Sequence, residues 1–555
     1  MKKLAIINSG AVSLGAYEAG VLYELLQAIT AHNAADPANA ILIDVIAGAS
    51  AGGMNSAILA QKLLFQADRL TDPADNDLYL PWVRDVDLTS LLAMNPNEPT
   101  MQSILSSDLI DAISTRYMIN PYYVGMNLQN NSHPAAAPKI RVGLAMSNLN
   151  GVTYELPLAS GGNVPYTRFQ DEVKFEVDPA NPDHDTPDFW EPIRAAAVAC
   201  GAFPFAFRVQ ELLRSATDYP NNPPPEFPKT GMHFAYTDGG VFQNEPFGLA
   251  KQLVDMNDNH LFEQRYYVYV APEMRDAASN DYDGTSGMSY FNFWNTAKAL
   301  ISAIFNQARY RDLQNAERIN DQVELFDTQA AGLLNLYLAG TVSAAMTTPA
   351  TSPLLATFYP GGAGPNLNAD GEAARTRLKQ QFDDEYQRLR TQKNAVEADA
   401  WIDSILLLEA VAGLGPRDQM TIFAITESAD KLAGNDLFAF AGFLDVAYRQ
   451  HDYDRGRMSV RNFITEINAD PRCANPATFL GPIQYNVAAL PPLTIDASLD
   501  GFKISAMDVN KRQALRDRIY DRIQDFLSEA GLSWVVREAV DIAYLKKMLD
   551  DLLGL

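Results

Sequence analysis

Apolar and polar positions along the first 275 residues follow the pattern of strands that alternate with helices. Short apolar runs, such as Leu4–Ile7 and the run from Ile41 to Gly48, end in small or polar residues, as buried strands do at turns. Apolar residues at helical spacing follow each of these two runs. Because alternating strands and helices form a parallel sheet covered by helices, the pattern predicts an α/β fold with a central, mostly parallel sheet.

Two details of the sheet are predicted from local signals. Residues 139–149 and 152–156 read as strands on either side of Asn150-Gly151, a dipeptide that is typical of tight hairpin turns. The acidic stretch 165–188 is predicted to be mainly a loop.

Beyond residue 275 the pattern becomes mainly helical. A long amphipathic helix is predicted over residues 290–325, and helices dominate again over 372–412 and 441–555. The run 419–425, QMTIFAI, is the one convincing later strand and is a candidate to return to the first sheet. We therefore predict two parts, an α/β domain over residues 1–275 and a mainly helical C-terminal region over residues 276–555.

Composition restricts the partners of the protein. The formal net charge is −25 over 555 residues, and such a surface is repelled by nucleic acids. It also gives no general attraction to anionic membranes, so any membrane contact is expected to be peripheral and to use a local apolar surface. The two cysteines, Cys200 and Cys473, do not make a disulfide scaffold and are expected to be buried and reduced.

The N-terminus does not read as a secretory signal. The apolar run after Met1-Lys2-Lys3 breaks at Asn8 after four residues, which is shorter than a signal peptide needs. No later run has about 18 uninterrupted apolar residues, so no transmembrane helix is predicted. We expect a cytoplasmic protein, and secretion without a leader stays open.

The stretch Ile41–Leu59 reads ILIDVIAGASAGGMNSAIL, an apolar run followed by small residues and a second helical segment. Its centre has the pattern Gly-x-Ser-x-Gly, with Ser50 between Gly48 and Gly52. In a nucleophile elbow this pattern places a serine hydroxyl on a sharp turn between strand and helix. Ser50 is therefore the candidate nucleophile.

A serine hydroxyl is a poor nucleophile unless a base lies next to it. Of the six histidines, His260 and His451 follow Asp238 in the chain order of a conventional triad. Both lie among polar or charged neighbours, where histidines are usually structural or solvated. Asp238 stands before two glycines, a common turn pattern that also presents a carboxylate on a tight loop. A direct pair of Ser50 and Asp238 fits the sequence better than a triad.

The first predicted turn supplies a candidate oxyanion hole. Residues 9–15 read SGAVSLG between a strand and a helix that begins near Gly15. Backbone N–H groups at the N-terminus of a helix are unpaired and favour negative charge. The amides near Gly10 and Ala11 are therefore predicted to stabilise the developing oxyanion, and a plain strand-to-helix connection is the alternative.

Three blocks together resemble the patatin-like phospholipase family. Residues 9–22, SGAVSLGAYEAGVL, are similar to the family's oxyanion block, and Gly48–Gly52 is similar to its elbow. Asp238-Gly239-Gly240 is similar to its Asp-Gly-Gly motif, and residues 196–204, AAVACGAFP, resemble the helix and loop before it. The resemblance covers residues 1–275. Residues 438–464 are similar to the C-terminal part of a bacterial patatin-related subgroup with a long extra region.

The resemblance implies a three-layer α/β/α fold and a serine acyl hydrolase that needs no cofactor. The implied reaction is cleavage of a phospholipid or another lipid ester, of the phospholipase A or lysophospholipase type, through an acyl-enzyme. It implies Ser50 as nucleophile, Asp238 as base, and the amides of Gly10, Ala11 and Val12 as the oxyanion hole. The glycines that would support these motifs are Gly15, Gly48, Gly52, Gly239 and Gly240.

An acyl chain requires an apolar channel, and two aromatic-rich segments are candidates to line it. Such residues belong more often to the core than to a channel. The candidates are Phe203, Phe205, Phe207, Phe291, Phe293 and Trp294.

The oxyanion block departs from the family pattern at three positions. Ala11 and Val12 stand where the family usually has glycine, and Leu14 stands where it usually has arginine. The amides are expected to keep their direction after the glycine replacements only if the local φ is negative. The departures raise the prospect of lower activity or of selectivity for unusual substrates.

Two alternatives stay open beside a Ser-Asp hydrolase. One is a non-catalytic lipid-binding or scaffolding protein that keeps the fold, and the other is a triad esterase that uses His260 or His451. No metal site is predicted, because the histidines are scattered and the cysteines are isolated.

Overall fold

The computed structural model describes residues 1–95, 98–99, 102–120, 131–157, 162–219, 230–257, 264–272, 303–304, 307–308, 314, 328–360, 367–411, 420–474, 480–529 and 542–555. The chain divides into two compact units. The first comprises residues 1–254, 265–313 and 422–555, and the second comprises residues 255–264 and 314–421. Apart from the few isolated positions above, the helix predicted over 290–325 lies outside the described residues.

In the described part of the chain, eight strands form one sheet with mixed directions. They are β1 (Lys2–Asn8), β2 (Ile41–Ala49), β3 (Ala136–Pro157), β4 (Asn163–Val177), β5 (Gln210–Arg214), β6 (Met232–Asp238), β7 (Gln264–Ala271) and β8 (Ile422–Thr426). Their order is β5-β6-β3-β2-β1-β7-β8, and β4 also pairs with β3. The pairs β1–β2, β2–β3 and β7–β8 are parallel, whereas β3–β4, β3–β6 and β5–β6 are antiparallel.

Helices accompany the sheet in the described part of the chain. They are α1 (Gly15–Ala35), α2 (Ala51–Phe65), α3 (Leu88–Leu92), α4 (Ser107–Met118), α5 (Pro187–Cys200), α6 (Phe247–Asn257), α7 (Ala344–Phe358), α8 (Ala369–Gln381), α9 (Asp383–Gln392), α10 (Ala395–Val411), α11 (Asp436–Ala439), α12 (Val446–Ala469), α13 (Val509–Glu529) and α14 (Ile542–Leu553). The predicted α/β class, a central sheet with flanking helices, is confirmed. Within the described residues, no helix combines the length and the hydropathy of a membrane span.

β3 continues through the predicted hairpin at Asn150-Gly151, so that prediction was wrong. The side-chain oxygen of Asn148 accepts hydrogen bonds from the amides of Asn150 and Gly151, both at 3.0 Å. The pairing of β3 with β4 shifts in register between Ser147 and Val152. The dipeptide therefore makes a bulge within one long strand. The stretch predicted as a loop over 165–188 instead contains most of β4.

The C-terminal chain returns to the first unit. β8 lies in the run predicted as a later strand and pairs with β7 from Tyr267 to Ala271. The helix α12 packs along α1. The boundary predicted at residue 275 is therefore not a boundary between the compact units, because β8 and α12 pack on the N-terminal sheet and its first helix.

The packing of α1 on α12 is close because glycines lie at the crossing. A Cβ atom at Gly20 or at Gly456 would lie 1.9 or 2.1 Å from a carbonyl oxygen of the opposite helix. Beside the crossing, Glu24 of α1 accepts hydrogen bonds from Arg457 and Arg461 of α12, at 3.0 and 2.7 Å. Charge pairing and close backbone contact together fix α12 against α1.

Candidate active site

Ser50 lies alone at the turn between β2 and α2. Its backbone has φ 52° and ψ −128°, and a non-glycine residue with positive φ is strained, as residues at functional sites often are. A Cβ atom at Gly48 would lie 2.4 Å from the carbonyl oxygen of Gly52, and one at Gly52 would lie 2.3 Å from that of Ser9. The glycines therefore permit the close approach of strand, helix and loop, as in a nucleophile elbow.

Asp238 lies at the end of β6, and its carboxylate faces the elbow. The hydroxyl of Ser50 donates a hydrogen bond of 2.6 Å to Oδ2, and the amide of Gly240 donates one of 2.7 Å to Oδ1. The backbone of Asp238 is also held, because its amide donates to the carbonyl of Ala202 and its carbonyl accepts from the hydroxyl of Ser147. The structure thus brings Ser50 and Asp238 into direct contact across 188 residues of chain.

The carboxylate of Asp238 is suited to exchange a proton near neutral pH. The side chain is buried, and burial raises its pKa to about 7, because the charged form loses its hydration. The hydrogen bonds from Ser50 and Gly240 stabilise the charged form and oppose this rise in pKa. A group with a pKa near the working pH is an efficient general acid and base.

The loop of residues 9–14, here called the β1–α1 loop, lies beside the elbow. A Cβ atom at Gly10 would lie 3.1 Å from the Cβ of Ser50. The amide of Gly10 donates to the carbonyl of Asn244 at 3.0 Å, so this predicted donor is already engaged. In the described part of the chain, no backbone carbonyl accepts from the amides of Ala11 and Val12. The predicted oxyanion donors therefore narrow to Ala11 and Val12.

The backbone of Val12 does not have the negative φ that was expected where a valine replaces the family's usual glycine. Ala11 has φ −140°, but Val12 has φ 52°, which a β-branched residue rarely adopts. The loop therefore keeps a glycine-like backbone at Val12, at a strain of about 1–3 kcal/mol. Leu14, which replaces the family's usual arginine, is buried in the apolar core.

An apolar cavity opens on Ser50 and Asp238. It contains about 770 Å³ of empty space, part of which is open to solvent. Its walls come from α2, α4 and α5, from Pro81, Trp82 and Val86, and from the β1–α1 loop. Among the described residues, the lining side chains other than Ser50, Asp238 and Ser114 are apolar, or the residue is a glycine. Such a cavity matches an alkyl chain better than a polar ligand.

The aromatic residues predicted to line an acyl channel have different positions. Phe203 and Phe207 line the cavity. Phe205, between them, is 74% exposed and therefore lies outside the wall. The other three candidates, Phe291, Phe293 and Trp294, lie outside the described residues.

The described part of the chain places no histidine in the cavity lining. His451 is buried in α12, and its Nε2 lies 3.0 Å from the carbonyl oxygen of Lys431 and 3.3 Å from Oδ1 of Asp500. His260, the other candidate base, lies outside the described residues. The observed partner of the Ser50 hydroxyl is therefore a carboxylate.

Near the elbow, the residues that the structure describes contain neither a metal-binding cluster nor a disulfide. In the part of the chain that the structure describes, no group of three or more His, Cys, Asp and Glu side chains is arranged to hold a metal ion. Cys200 and Cys473 are free and buried.

A buried polar network behind the β1–α1 loop was not predicted from the sequence. Glu18 accepts hydrogen bonds from the hydroxyl of Ser9 and the amide of Asn55, at 3.4 and 3.3 Å, and Trp82 donates one to Asn55 at 2.7 Å. Burial raises the pKa of Glu18 well above its usual range. The only signal was a carboxylate within an otherwise apolar helical segment. Phe443, a cavity residue from the C-terminal chain, had no local signal.

The fold and the site define a class of protein. An α/β domain carries a strained serine at an elbow, hydrogen-bonded to a buried carboxylate, beside an apolar cavity. Residues 6–251 match the family model described as patatin-like phospholipase. Residues 6–251 therefore form a domain of the patatin-like phospholipase family. The description of this family names a phospholipase.

Two individual proteins are also similar to this chain. The uncharacterized protein y4iI of Sinorhizobium fredii is 24% identical over 326 residues, and the match covers 45% of each chain. The chain thus spans less than half the length of this curated relative. The crystal structure of VipD from Legionella pneumophila is matched over 100% of this chain and 87% of that chain, at 13% identity and a TM-score of 0.18. A TM-score this low does not establish a common fold.

Proposed function

We propose that this protein is a serine acyl hydrolase that cleaves lipid esters of the phospholipase A or lysophospholipase type. The observation that carries the proposal is the 2.6 Å hydrogen bond from Ser50 to Asp238 at the edge of an apolar cavity. The family assignment supports a lipid substrate. The Ser-Asp dyad and the type of ester are the parts of the proposal that go beyond the family.

In the first half of the proposed reaction, Ser50 Oγ attacks the ester carbonyl carbon while its proton passes to Oδ2 of Asp238. The tetrahedral oxyanion accepts hydrogen bonds from the amides of Ala11 and Val12. When the intermediate collapses, the carbon–oxygen bond of the alcohol breaks and Asp238 returns the proton to that alcohol. The products are an acyl-enzyme on Ser50 and the free alcohol.

In the second half, a water molecule attacks the acyl-enzyme and gives its proton to Asp238. The bond to Ser50 breaks, the fatty acid leaves, and the proton returns from Asp238 to Ser50 Oγ. The raised pKa of Asp238 supports both directions of transfer, because the carboxyl group is then a stronger base than an exposed aspartate. The apolar walls hold the acyl chain.

Ester turnover in variants of Ser50, Asp238 and Ser114 tests the proposal. A panel of phospholipids, lysophospholipids and short-chain esters is assayed with the wild type, Ser50→Ala and Asp238→Asn. We expect both variants to lose at least about 1000-fold in kcat, as loss of a nucleophile or its base does elsewhere. Ser114→Ala removes another hydroxyl from the same cavity and is the control, with turnover near that of the wild type. Undiminished turnover in folded Ser50→Ala would contradict the proposal.

One alternative has a specific observation in its favour. The side chain of Val12 lines the cavity, and the amide of Gly10 donates its hydrogen bond to the carbonyl of Asn244. The oxyanion site therefore has few hydrogen-bond donors. A non-catalytic lipid-binding protein would show these features, would bind lipid and would hydrolyse no ester of the panel. For the triad esterase, the discriminating result is loss of turnover in the double variant His260→Ala, His451→Ala.

Contact with a lipid surface is part of the proposal. Phe205 is exposed beside the cavity residues Phe203 and Phe207, and it is the side chain that we propose to touch the lipid surface. Cytoplasmic residence stays a prediction from the sequence.

A further inference from the structure

We propose that the C-terminal segment of residues 432–444 positions the β1–α1 loop through Ser13, and that Ser13, Arg449 and Asp452 act as positioning residues for the oxyanion amides. The segment lies outside the residues that match the family model. The inference rests on the function proposed above, because it assigns support for the same oxyanion site.

Ser13 is the point of contact between the loop and the segment. Its hydroxyl donates a hydrogen bond to the carbonyl of Ala439 and accepts one from the amide of Gly442, the latter at 3.2 Å. Ser13 is fully buried and directly follows Val12, whose strained backbone directs the amide. One hydroxyl therefore holds the loop next to its strained residue, and the partners are more than 400 residues away in the chain.

The segment is in turn anchored to α12 by two buried charged side chains. The carboxylate of Asp452 accepts hydrogen bonds of 2.8 Å from the amides of Ala433 and Gly434. The guanidinium of Arg449 donates 3.0 and 3.1 Å hydrogen bonds to the carbonyls of Gly442 and Val83. Charged hydrogen bonds to backbone groups are strong and directional, so they fix the segment before its contact with Ser13 and at Gly442, within that contact.

The same segment also completes the cavity. Phe443 lines the cavity directly after Gly442, and Phe440 packs edge-to-face on the cavity residue Phe203 at 5.4 Å. Leu437 and Ala439 have positive φ angles of 54° and 65°. A segment that holds two strained residues must be over-determined by its surroundings. These contacts give the loop an external support that its own sequence, without the usual glycines and arginine, does not provide.

The test compares Ser13→Ala with Ser459→Ala, a control that removes a buried hydroxyl from α12 bonded to the carbonyl of Arg455. Hydrolysis of p-nitrophenyl butyrate gives kcat and KM, corrected for the folded fraction from urea unfolding. Hydrogen–deuterium exchange of the peptide containing residues 9–14 reports the loop independently of activity. We expect kcat of Ser13→Ala to fall about tenfold or more with KM within twofold, because loss of one oxyanion donor costs about 100-fold to 1000-fold and a misplaced donor costs part of that.

Exchange over residues 9–14 should also become faster in Ser13→Ala, and Ser459→Ala should change neither readout. Asp452→Asn, which is remote from the cavity, should change both readouts in the same direction as Ser13→Ala. Unchanged kcat and unchanged exchange in folded Ser13→Ala would overturn the inference. If the wild type shows no ester turnover that depends on Ser50, the proposed function fails, and the exchange data alone then decide whether Ser13 holds the loop.

Discussion

Two neighbouring turns of the sheet, the β2–α2 elbow and the β1–α1 loop, solve the same problem by different means. Each joins a parallel strand to the N-terminus of a helix, and each holds a non-glycine residue at φ 52°, Ser50 in the elbow and Val12 in the loop. The elbow is supported mainly by its own glycines, which admit the close approach of strand and helix. The loop is supported by Asn244, Ala439 and Gly442, all far away in the chain.

The difference shows whether a strained turn is recognisable from its own residues or depends on residues that are distant in the chain. A self-supporting turn carries its geometry in a short local pattern, so it is recognisable from the sequence. An externally supported turn tolerates departures from its usual pattern, because distant hydrogen bonds replace what the local residues no longer provide. We expect local substitutions to damage the elbow more than the loop.

The largest effect on this comparison is expected for Gly52→Ala. The added methyl group would lie 2.3 Å from the carbonyl oxygen of Ser9, so either the elbow or the start of the β1–α1 loop must move. We expect ester turnover to fall at least about 100-fold and the free energy of unfolding to fall by about 1–3 kcal/mol. Kinetics and urea unfolding measure both. Gly332→Ala, where no other atom lies within 4 Å of the added Cβ, is the matched control. Wild-type turnover in Gly52→Ala would show that the elbow is not tightly packed.

The pH dependence of turnover is the next effect. The proposed base acts when ionised, and its pKa is raised to about 7. Below this pH the ionised fraction of Asp238 falls about tenfold per unit. We therefore expect kcat/KM to fall with the same slope from pH 7 to pH 5. A profile that is flat over this range would rule out Asp238 as a base with a raised pKa.

Because of the same ionisation, the free energy of unfolding should also depend on pH. Between the ordinary pKa of an aspartate, 3.8, and the folded value of about 7, the folded protein retains a proton that the unfolded chain has released. The free energy of unfolding therefore falls as pH rises through this window. In Asp238→Asn this fall does not occur, because asparagine does not ionise. The free energy of unfolding of Asp238→Asn minus that of the wild type should therefore rise by about 1 kcal/mol or more from pH 5 to pH 8.

Urea unfolding at the two pH values measures this difference. Asp452, whose pKa burial also raises to about 7, is present in both proteins and cancels. A stability difference that is independent of pH would contradict the buried, raised-pKa state of Asp238.

The smallest effect is expected for Val12→Gly in the β1–α1 loop. Glycine relieves about 1–3 kcal/mol of backbone strain, and this gain is offset by about 0.5–1 kcal/mol of chain entropy and by the lost contacts of a half-buried side chain. We expect the free energy of unfolding to change by less than about 1 kcal/mol and turnover to change by less than about threefold. A loss of turnover as large as that of Gly52→Ala would mean that the loop depends on its own side chains.

The parts of the site that were predictable are those with local chemical signals. The elbow around Ser50 and the Asp-Gly-Gly turn each contain their geometry within five residues, and the structure brings them together. The cavity was less predictable from the sequence, because Trp82 and Phe443 come from segments whose apolar residues look like ordinary core residues. Their role depends on long-range packing that no local pattern records.

The misread hairpin has a similar cause. Asn150-Gly151 has the composition of a turn, but the side-chain oxygen of Asn148 accepts hydrogen bonds from both backbone amides, and the dipeptide forms a bulge of β3. Long-range pairing with β4 then continues beyond the bulge, as far as Pro157. Turn propensity alone does not distinguish these outcomes, because both use the same backbone conformations.

The central claim is that Ser50 is a nucleophile activated by Asp238. The most direct measurement is labelling with a fluorophosphonate, followed by mass spectrometry of the digested protein. The account predicts one adduct, on Ser50, that is absent from Ser50→Ala, strongly slowed in Asp238→Asn and unchanged in Ser114→Ala. A folded wild type with no adduct on Ser50, or labelling of Asp238→Asn at the wild-type rate, would contradict it.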